Sequence, residues 1–190
     1  MLLSAALMLL ILPLQWILAA GAAALWHELC HIIAVRLCGG TFHRVNIGDG
    51  GIVMECKPMS LEKEVLCFLA GPLGSLLLLT LATCFPKIAL CGFVHGLYNL
   101  IPVYPLDGGR ALQAAAFVFL PRERAETFCV GTAYVAVIAV VCLAAVGVFV
   151  WKLGVLPVLL AAILLFRINR EKLLANFRDR GYNRPTIVKR

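Results

Sequence analysis

The chain has 190 residues, of which 62% are hydrophobic and only 14% are charged. Soluble domains are closer to half apolar and a quarter charged, so this composition is typical of a membrane protein. The formal net charge of +7 does not indicate a nucleic-acid partner, because the basic residues lie between apolar segments and in the C-terminal tail, where they set membrane orientation.

Five apolar segments are long enough to predict membrane-spanning helices, each of which needs about 20 mostly apolar residues. Pro13 and Gln15 interrupt the first apolar run and divide it into a short leading segment and a main span over about 14–38. The run has no positive charge ahead of it, which argues against a cleaved signal peptide. Whether residues 1–13 also cross the membrane is left open. The remaining spans are predicted at about 65–85, 88–106, 128–151 and 154–168.

These spans predict an all-α polytopic membrane protein, and its basic residues predict its orientation. Five spans place fifteen Lys and Arg residues on one side and only Lys87 and Lys152 on the other. The positive-inside rule makes the first side cytoplasmic, and the C-terminus with it.

The segment 41–58, TFHRVNIGDGGIVMECKP, differs from the apolar runs around it. Val45, Ile47, Ile52 and Met54 roughly alternate around the turn sequence GDGG, which predicts a small membrane-associated β-hairpin. From spacing alone, an ordinary polar loop is an equal alternative. A hairpin beside a membrane domain can pair with an extended peptide by strand addition.

His27, Glu28 and His31 form the motif H-E-x-x-H inside the first span. Residues at i and i+4 share a helix face, so both imidazoles can reach one metal ion, and Glu28 can approach a water molecule at that metal from the side. A pair of structural histidines is the alternative. It is the weaker reading because ionisable groups inside a membrane are costly and usually functional.

A catalytic zinc ion needs three protein ligands and one open position, so a third ligand is expected elsewhere. Asp107, in NLIPVYPLDGGRAL, is the best candidate, although Asp-Gly-Gly on its own is a turn signal. Arg36 follows His31 by five residues, Arg110 follows Asp107 by three, and both arginines belong to the cytoplasmic group. Helix rise then puts the histidines and Asp107 at similar depth, within about 10 Å of that face.

The sequence ahead of Asp107 predicts a helix break, because Pro102 and Pro105 each lack an N–H donor. Non-helical backbone at membrane depth is tolerated where it lines a cavity or is covered by protein. Asn99 is a candidate for holding a substrate backbone or a developing oxyanion, with an interhelical hydrogen bond as the alternative. His95, one turn earlier, either lines the same cavity or is a buried histidine with a carbonyl partner, and we favour the second.

Taken in order, these motifs resemble the site-2 protease family of intramembrane zinc metalloproteases. HELCH lies in one predicted span, AGPLGS (70–75) in the next, where small residues predict close helix packing, and NLIPVYPLDGG in the third. The resemblance covers roughly residues 14–115, and the hairpin resembles the membrane-associated β-strand region of the family. With no PDZ domain and a compact form, the chain is most similar to the branch that includes the bacterial sporulation sigma-factor processing protease. That branch often adds a C-terminal CBS domain, which this chain is too short to hold.

The resemblance implies a role for each motif residue. It implies that His27, His31 and Asp107 bind Zn²⁺. Glu28 would activate the water, while Asn99 and Pro102 would help to position the substrate.

The resemblance also implies a multi-pass protein of the bacterial cell membrane. Residues 1–168 would form the transmembrane metalloprotease domain and residues 169–190 a basic cytoplasmic tail. The expected partners are a membrane protein or membrane-tethered transcription factor as substrate and, in addition, a regulatory membrane protein, with no nucleic acid.

Two residues depart from the family pattern. Cys30 replaces the glycine of H-E-x-G-H, and Ser75 stands where the family usually has asparagine. Because neither change removes a ligand or the base, we expect an active enzyme.

Three other functions compete with this interpretation. A catalytically weak protein that retains membrane partners would not depend on Glu28. A transporter would need more ionisable residues along its spans, and residues 128–166 offer only Lys152 near an end. A soluble metalloprotease released by signal cleavage is excluded by the remaining apolar spans. Zinc suits a histidine–carboxylate site, but the sequence does not separate it from other divalent metals.

Overall fold

The computed structural model describes residues 13–40, 42–48, 51–56 and 59–150, with four single positions beyond them, and it describes the two strands by their backbone. Residues 1–12 and the predicted tail at 169–190 lie outside the described residues. The predicted fifth span at 154–168 also lies outside them, except at three positions.

The described residues of the first of two compact units, Met1–Ile101, include three helices that all pack on one another. The element order is α1 (Leu14–Leu37), β1 (Phe42–Gly48), β2 (Gly51–Cys56), α2 (Leu61–Leu77) with a 3₁₀ extension (Leu78–Leu81), and α3 (Pro86–Leu100). Helix α3 ends at Leu100, two residues before Pro102, as expected from the missing N–H donor of proline.

The second unit, Pro102–Arg190, contains α4 (Asp107–Phe119) and α5 (Arg122–Phe149) among its described residues. Ala116 of α4 packs with Ala125 and Cys129 of α5 in a small buried cluster. Leu112 and Phe117 cover that cluster from the side. Only residues 120 and 121 connect α4 to α5, and the two helices pack against each other.

Among the described residues, three helices are long and apolar enough to cross a membrane: Leu14–Leu37, Leu61–Leu81 and Arg122–Phe149. Their outer surfaces carry large apolar side chains such as Leu25, which is 74% exposed, and Ile138, which is 62% exposed. In water such surfaces would be costly, whereas lipid is as apolar as leucine. The predicted all-α class is therefore confirmed by the five helices of the described residues, while the total of five spans stays a prediction.

The third predicted span, 88–106, is not one continuous helix. Helix α3 has 15 residues, and the backbone from Ile101 to Leu106 is non-helical. The prolines that were expected to interrupt the span lie in this segment, and Val103 and Leu106 within it are buried. The segment is therefore covered by protein, as the membrane environment requires of irregular backbone.

Helix α4 was not predicted, because residues 107–127 were assigned to a cytoplasmic connection. Its buried residues include Ala111 and Ala114, and much of that face consists of small side chains. A helix of 13 residues is too short to be recognised as a span. Its short length and its polar residues, Asp107, Arg110 and Gln113, therefore give it no apolar run of the length that predicts a span.

Strands β1 and β2 pair antiparallel, with Ile47 opposite Ile52 and Gly48 opposite Gly51. The register is irregular between Phe42 and Arg44. The location of this segment beside the membrane and its pairing with a peptide stay predictions.

Small residues occupy the contacts between the helices of the first unit. In α2 the buried residues include Gly71, Pro72, Gly74 and Ser75, which belong to the AGPLGS segment. Close helix packing, predicted from that segment, is confirmed by this burial. This packing places α2 against the face of α1 that carries the two histidines.

Candidate metal centre

The Nε2 atoms of the two histidines in the H-E-x-x-H motif lie close to each other. Both lie on α1, His27 is only 2% exposed, and His31 is half-buried. Their Nε2 atoms are 3.1 Å apart, and their rings are nearly perpendicular, with centroids 4.8 Å apart. Two nitrogens that bind one tetrahedral zinc ion at about 2.0–2.1 Å are roughly 3.3 Å apart, so the observed spacing suits a shared metal.

Helix α2 holds the opposite nitrogen of each ring. The Nδ1 of His31 is 2.7 Å from the backbone carbonyl oxygen of Cys67, and the Nδ1 of His27 is 2.9 Å from the Oγ of Ser75. A carbonyl oxygen only accepts hydrogen bonds, so the Nδ1 of His31 is the donor and carries the proton. In the neutral ring, Nε2 is then the nitrogen with a lone pair, as metal ligation requires.

Two glycines of α2 provide the space that α1 occupies. A Cβ atom added at Gly71 would overlap the Nε2 of His31, and one added at Gly74 would overlap the Sγ of Cys30. The indole Nε1 of Trp26 also donates a hydrogen bond of 2.8 Å to the carbonyl oxygen of Gly74. Cys30, which departs from the family pattern, is thus accommodated against a glycine of the neighbouring helix.

Asp107 is the first residue of α4 and follows the non-helical segment. The backbone N–H of Leu106 donates to the carbonyl oxygen of Val103 at 2.9 Å, which forms a turn immediately before the aspartate. A Cβ atom at Gly109 would overlap the backbone of Val103 and Tyr104, so the glycine at this position lets the turn close onto the helix.

His27 and His31 belong to the first unit, whereas Asp107 begins the first helix of the second unit. Two imidazole nitrogens and a carboxylate oxygen are a donor set that zinc accepts. The first unit brings together the Nε2 atoms of the two histidines, and Asp107 as the third ligand stays a prediction.

The other predicted site residues lie on α1, on α3 and in the segment that follows α3. Glu28 is half-buried on α1, directly after His27, and Pro102 is half-buried in the segment after α3. The Nδ2 of Asn99 donates a hydrogen bond of 3.1 Å to the carbonyl oxygen of His95, so this bond lies within α3. Substrate positioning by Asn99 and Pro102 stays a prediction.

Two contacts of His27 were not anticipated from the sequence. Ser75 was recognised only as a departure from a family pattern, yet its hydroxyl bonds His27. His95 was favoured as a histidine bonded to a carbonyl group. Its ring packs against that of His27, with centroids 4.6 Å apart and an interplanar angle of 89°. Both residues lie on other helices than His27, so spacing along the chain carries no signal for either contact.

No protein-family model and no curated protein matches the sequence. The structure is similar to that of the site-2 protease from Methanocaldococcus jannaschii, with a TM-score of 0.52 and 19% sequence identity. The match covers 91% of this chain and 79% of the archaeal chain. The chain thus has the fold of a site-2 protease, which confirms the resemblance seen in the sequence at the level of the fold. The sigma-factor branch stays a prediction.

Replacing Gly71 with alanine should displace the ring of His31, because the added methyl group would occupy the position of Nε2. We expect Gly71→Ala to weaken zinc binding by at least about tenfold, as misplacement of a ligand usually does. The measurement is competition with a chelator, using protein purified in detergent. Gly21→Ala is the matched control, since a Cβ there would meet nothing within 4 Å. Equal zinc affinity in the two variants would contradict the argument.

Removing the hydroxyl of Ser75 should release the Nδ1 of His27. We expect Ser75→Ala to lose about 10–100-fold in zinc affinity, the usual effect of removing a hydrogen-bond partner of a ligating histidine. Ser60→Ala is the control, because Ser60 is exposed at the start of α2 and makes no capping hydrogen bond with its side chain. If Ser75→Ala binds zinc as tightly as Ser60→Ala, the hydroxyl does not orient the ligand.

Proposed function

We propose that this protein is an intramembrane zinc metalloprotease of the site-2 protease type. It would hydrolyse peptide bonds within or beside the transmembrane segments of membrane-tethered substrates. The observation that carries the proposal is the pair of Nε2 atoms of His27 and His31, which are 3.1 Å apart, with the Nδ1 atom of each ring held by α2. The fold of a site-2 protease and three helices apolar enough to cross a membrane support it.

The chemistry of the donor set fits a catalytic zinc ion. His27 and His31 would bind it through Nε2, and Asp107 through a carboxylate oxygen. Three protein ligands leave a fourth position for water or substrate, which distinguishes a catalytic from a structural zinc site. When bound, zinc supplies a Lewis acid that lowers the pKa of water toward about 7.

Glu28 is the general base of the proposed reaction. It follows His27 directly on α1, so its carboxylate reaches the site from the side of the two imidazoles. In this role it accepts the proton of the attacking water and then delivers that proton to the leaving amine. The hydrogen bonds between the Nδ1 atoms and α2 hold the imidazoles in place during these transfers.

A transmembrane substrate must unwind locally, because its scissile carbonyl groups are hydrogen-bonded within a helix. Pairing of the unwound segment with the hairpin of β1 and β2 would offset part of that cost. Asn99 and Pro102 are proposed to help hold the substrate backbone. A membrane protein or membrane-tethered transcription factor is the proposed substrate, and a regulatory membrane protein would control access to the site.

The proposed location is the bacterial cell membrane, with several spans and a cytoplasmic C-terminus. The support for this orientation is the distribution of Lys and Arg, fifteen on one side and two on the other in the five-span arrangement.

Replacing Glu28 with glutamine should abolish turnover but retain the metal, because glutamine keeps the shape of the side chain and lacks the basic oxygen. Loss of a general base costs about 10²–10⁴ in rate. The measurement is cleavage of candidate membrane-tethered transcription factors co-produced with the wild type and with Glu28→Gln. Glu123→Gln, at an exposed position early in α5, is the control. Processing that persists in Glu28→Gln would rule out the base and favour a binding protein.

Replacing Asp107 should remove the third zinc ligand. We expect Asp107→Ala to lose tightly bound zinc on purification, measured as the metal content per chain. Glu62→Gln, an exposed change in the first turn of α2, should retain the metal content of the wild type. Full retention of tightly bound zinc by Asp107→Ala would count against its role as a ligand.

A further inference from the structure

The ring of His27 has two imidazole neighbours. His31 lies at a centroid distance of 4.8 Å and an interplanar angle of 78°, and His95 at 4.6 Å and 89°. The proposed ligand set consists of His27, His31 and Asp107 and does not include His95. His95 thus contacts a proposed ligand without belonging to the ligand set.

Helix α3 brings His95 to this position by packing closely on α2. Gly96, the next residue, is buried, and a Cβ added there would lie 3.0 Å from the carbonyl oxygen of Pro72 and 3.1 Å from the Cβ of Ser75. The residue that α3 approaches is therefore the serine that bonds the Nδ1 of His27. The hydrogen bond from Asn99 to the carbonyl oxygen of His95 ties the same turn of α3 to the following one.

A hydrogen bond at Nδ1 tolerates a range of angles, so it restrains the position of that nitrogen more firmly than the plane of the ring. A tilt of the His27 ring about its bond to Ser75 would carry Nε2 away from a metal. A second ring packed perpendicular to the first limits that tilt. Edge-to-face packing with centroids about 4.5–7 Å apart is one of the favoured arrangements of aromatic rings, and the pair of His27 and His95 has this geometry.

We propose that His95 is a positioning residue for the zinc ligand His27. Its ring would hold the plane of the His27 imidazole, so that Nε2 stays directed at the metal. This inference rests on the proposed function. It assigns His95 a role through ring packing, not as a fourth ligand or as a contact of the substrate.

Two substitutions of His95 should differ in effect if its ring acts by packing. His95→Ala removes the ring and should free the plane of His27, which we expect to weaken zinc binding about tenfold, as for other residues that orient ligands. His95→Phe keeps a flat ring of similar size and should retain most of the affinity. Leu97→Ala is the matched control, because Leu97 is 46% exposed on the same helix.

The experiment uses the full chain purified in detergent, with zinc affinity measured by chelator competition. Cobalt(II) substitution provides a second measurement, since its visible absorption reports the geometry of the coordinating atoms. We expect an altered cobalt spectrum for His95→Ala and the wild-type spectrum for His95→Phe. In cleavage assays, His95→Ala should lower kcat with little change in KM, because His95 does not contact the substrate.

Thermal unfolding of each metal-free variant separates loss of the fold from loss of the site. If His95→Ala does not fold, His95→Leu replaces it, because leucine fills the volume without a flat ring, and the same loss of affinity is expected. Unchanged zinc affinity and cobalt spectrum in the variant without a ring would overturn the inference. Equal losses in His95→Phe and His95→Ala would overturn it as well, since a polar ring atom would then be required.

The wild-type chain distinguishes failure of this inference from failure of the proposed function. A wild type that binds no zinc, or a Glu28→Gln variant that still cleaves, would overturn the proposed function. A wild type that binds zinc and cleaves, together with a His95→Ala variant of unchanged affinity, would overturn only the role of His95.

Discussion

The hydrogen bonds between α2 and the two histidines of α1 are the interactions on which the candidate site depends. An imidazole has two nitrogens and a rotatable bond, so a histidine becomes a defined ligand only when its second nitrogen is held. The carbonyl oxygen of Cys67 holds His31 and the hydroxyl of Ser75 holds His27. Both bonds require the two helices to pack closely, and Gly71 leaves the necessary space.

This close packing also solves a problem that the membrane creates. Helices in lipid gain little from burying apolar surface against one another, so their association depends on close backbone approach and on polar contacts. Small residues at the contacts of α2 and α3 provide the approach. The buried polar groups of His27 and Ser75 then bond to each other, which offsets the cost of removing them from water.

Asp107 is positioned by the irregular backbone that precedes α4. The prolines after α3 end that helix, and the buried side chains of Val103 and Leu106 anchor the irregular backbone that follows. Asp107 then begins α4, where the N-terminal end of the helix dipole favours a negative charge. A carboxylate at this point remains suited to a cation, and Gly109 lets the preceding turn close.

The sequence alone determined the features that depend on distances along the chain. The i and i+4 spacing puts His27 and His31 on one face of α1, the length of the apolar runs identifies the three long helices, and Pro102 predicts the end of α3. These results follow from the fixed geometry of a helix and from the covalent structure of proline. The tertiary structure decided the rest: the bond of Ser75 to His27, the ring contact of His95, and the short helix α4, buried on protein. Each depends on which faces of separate helices pack together, and no spacing within one helix specifies the partner that lies across it.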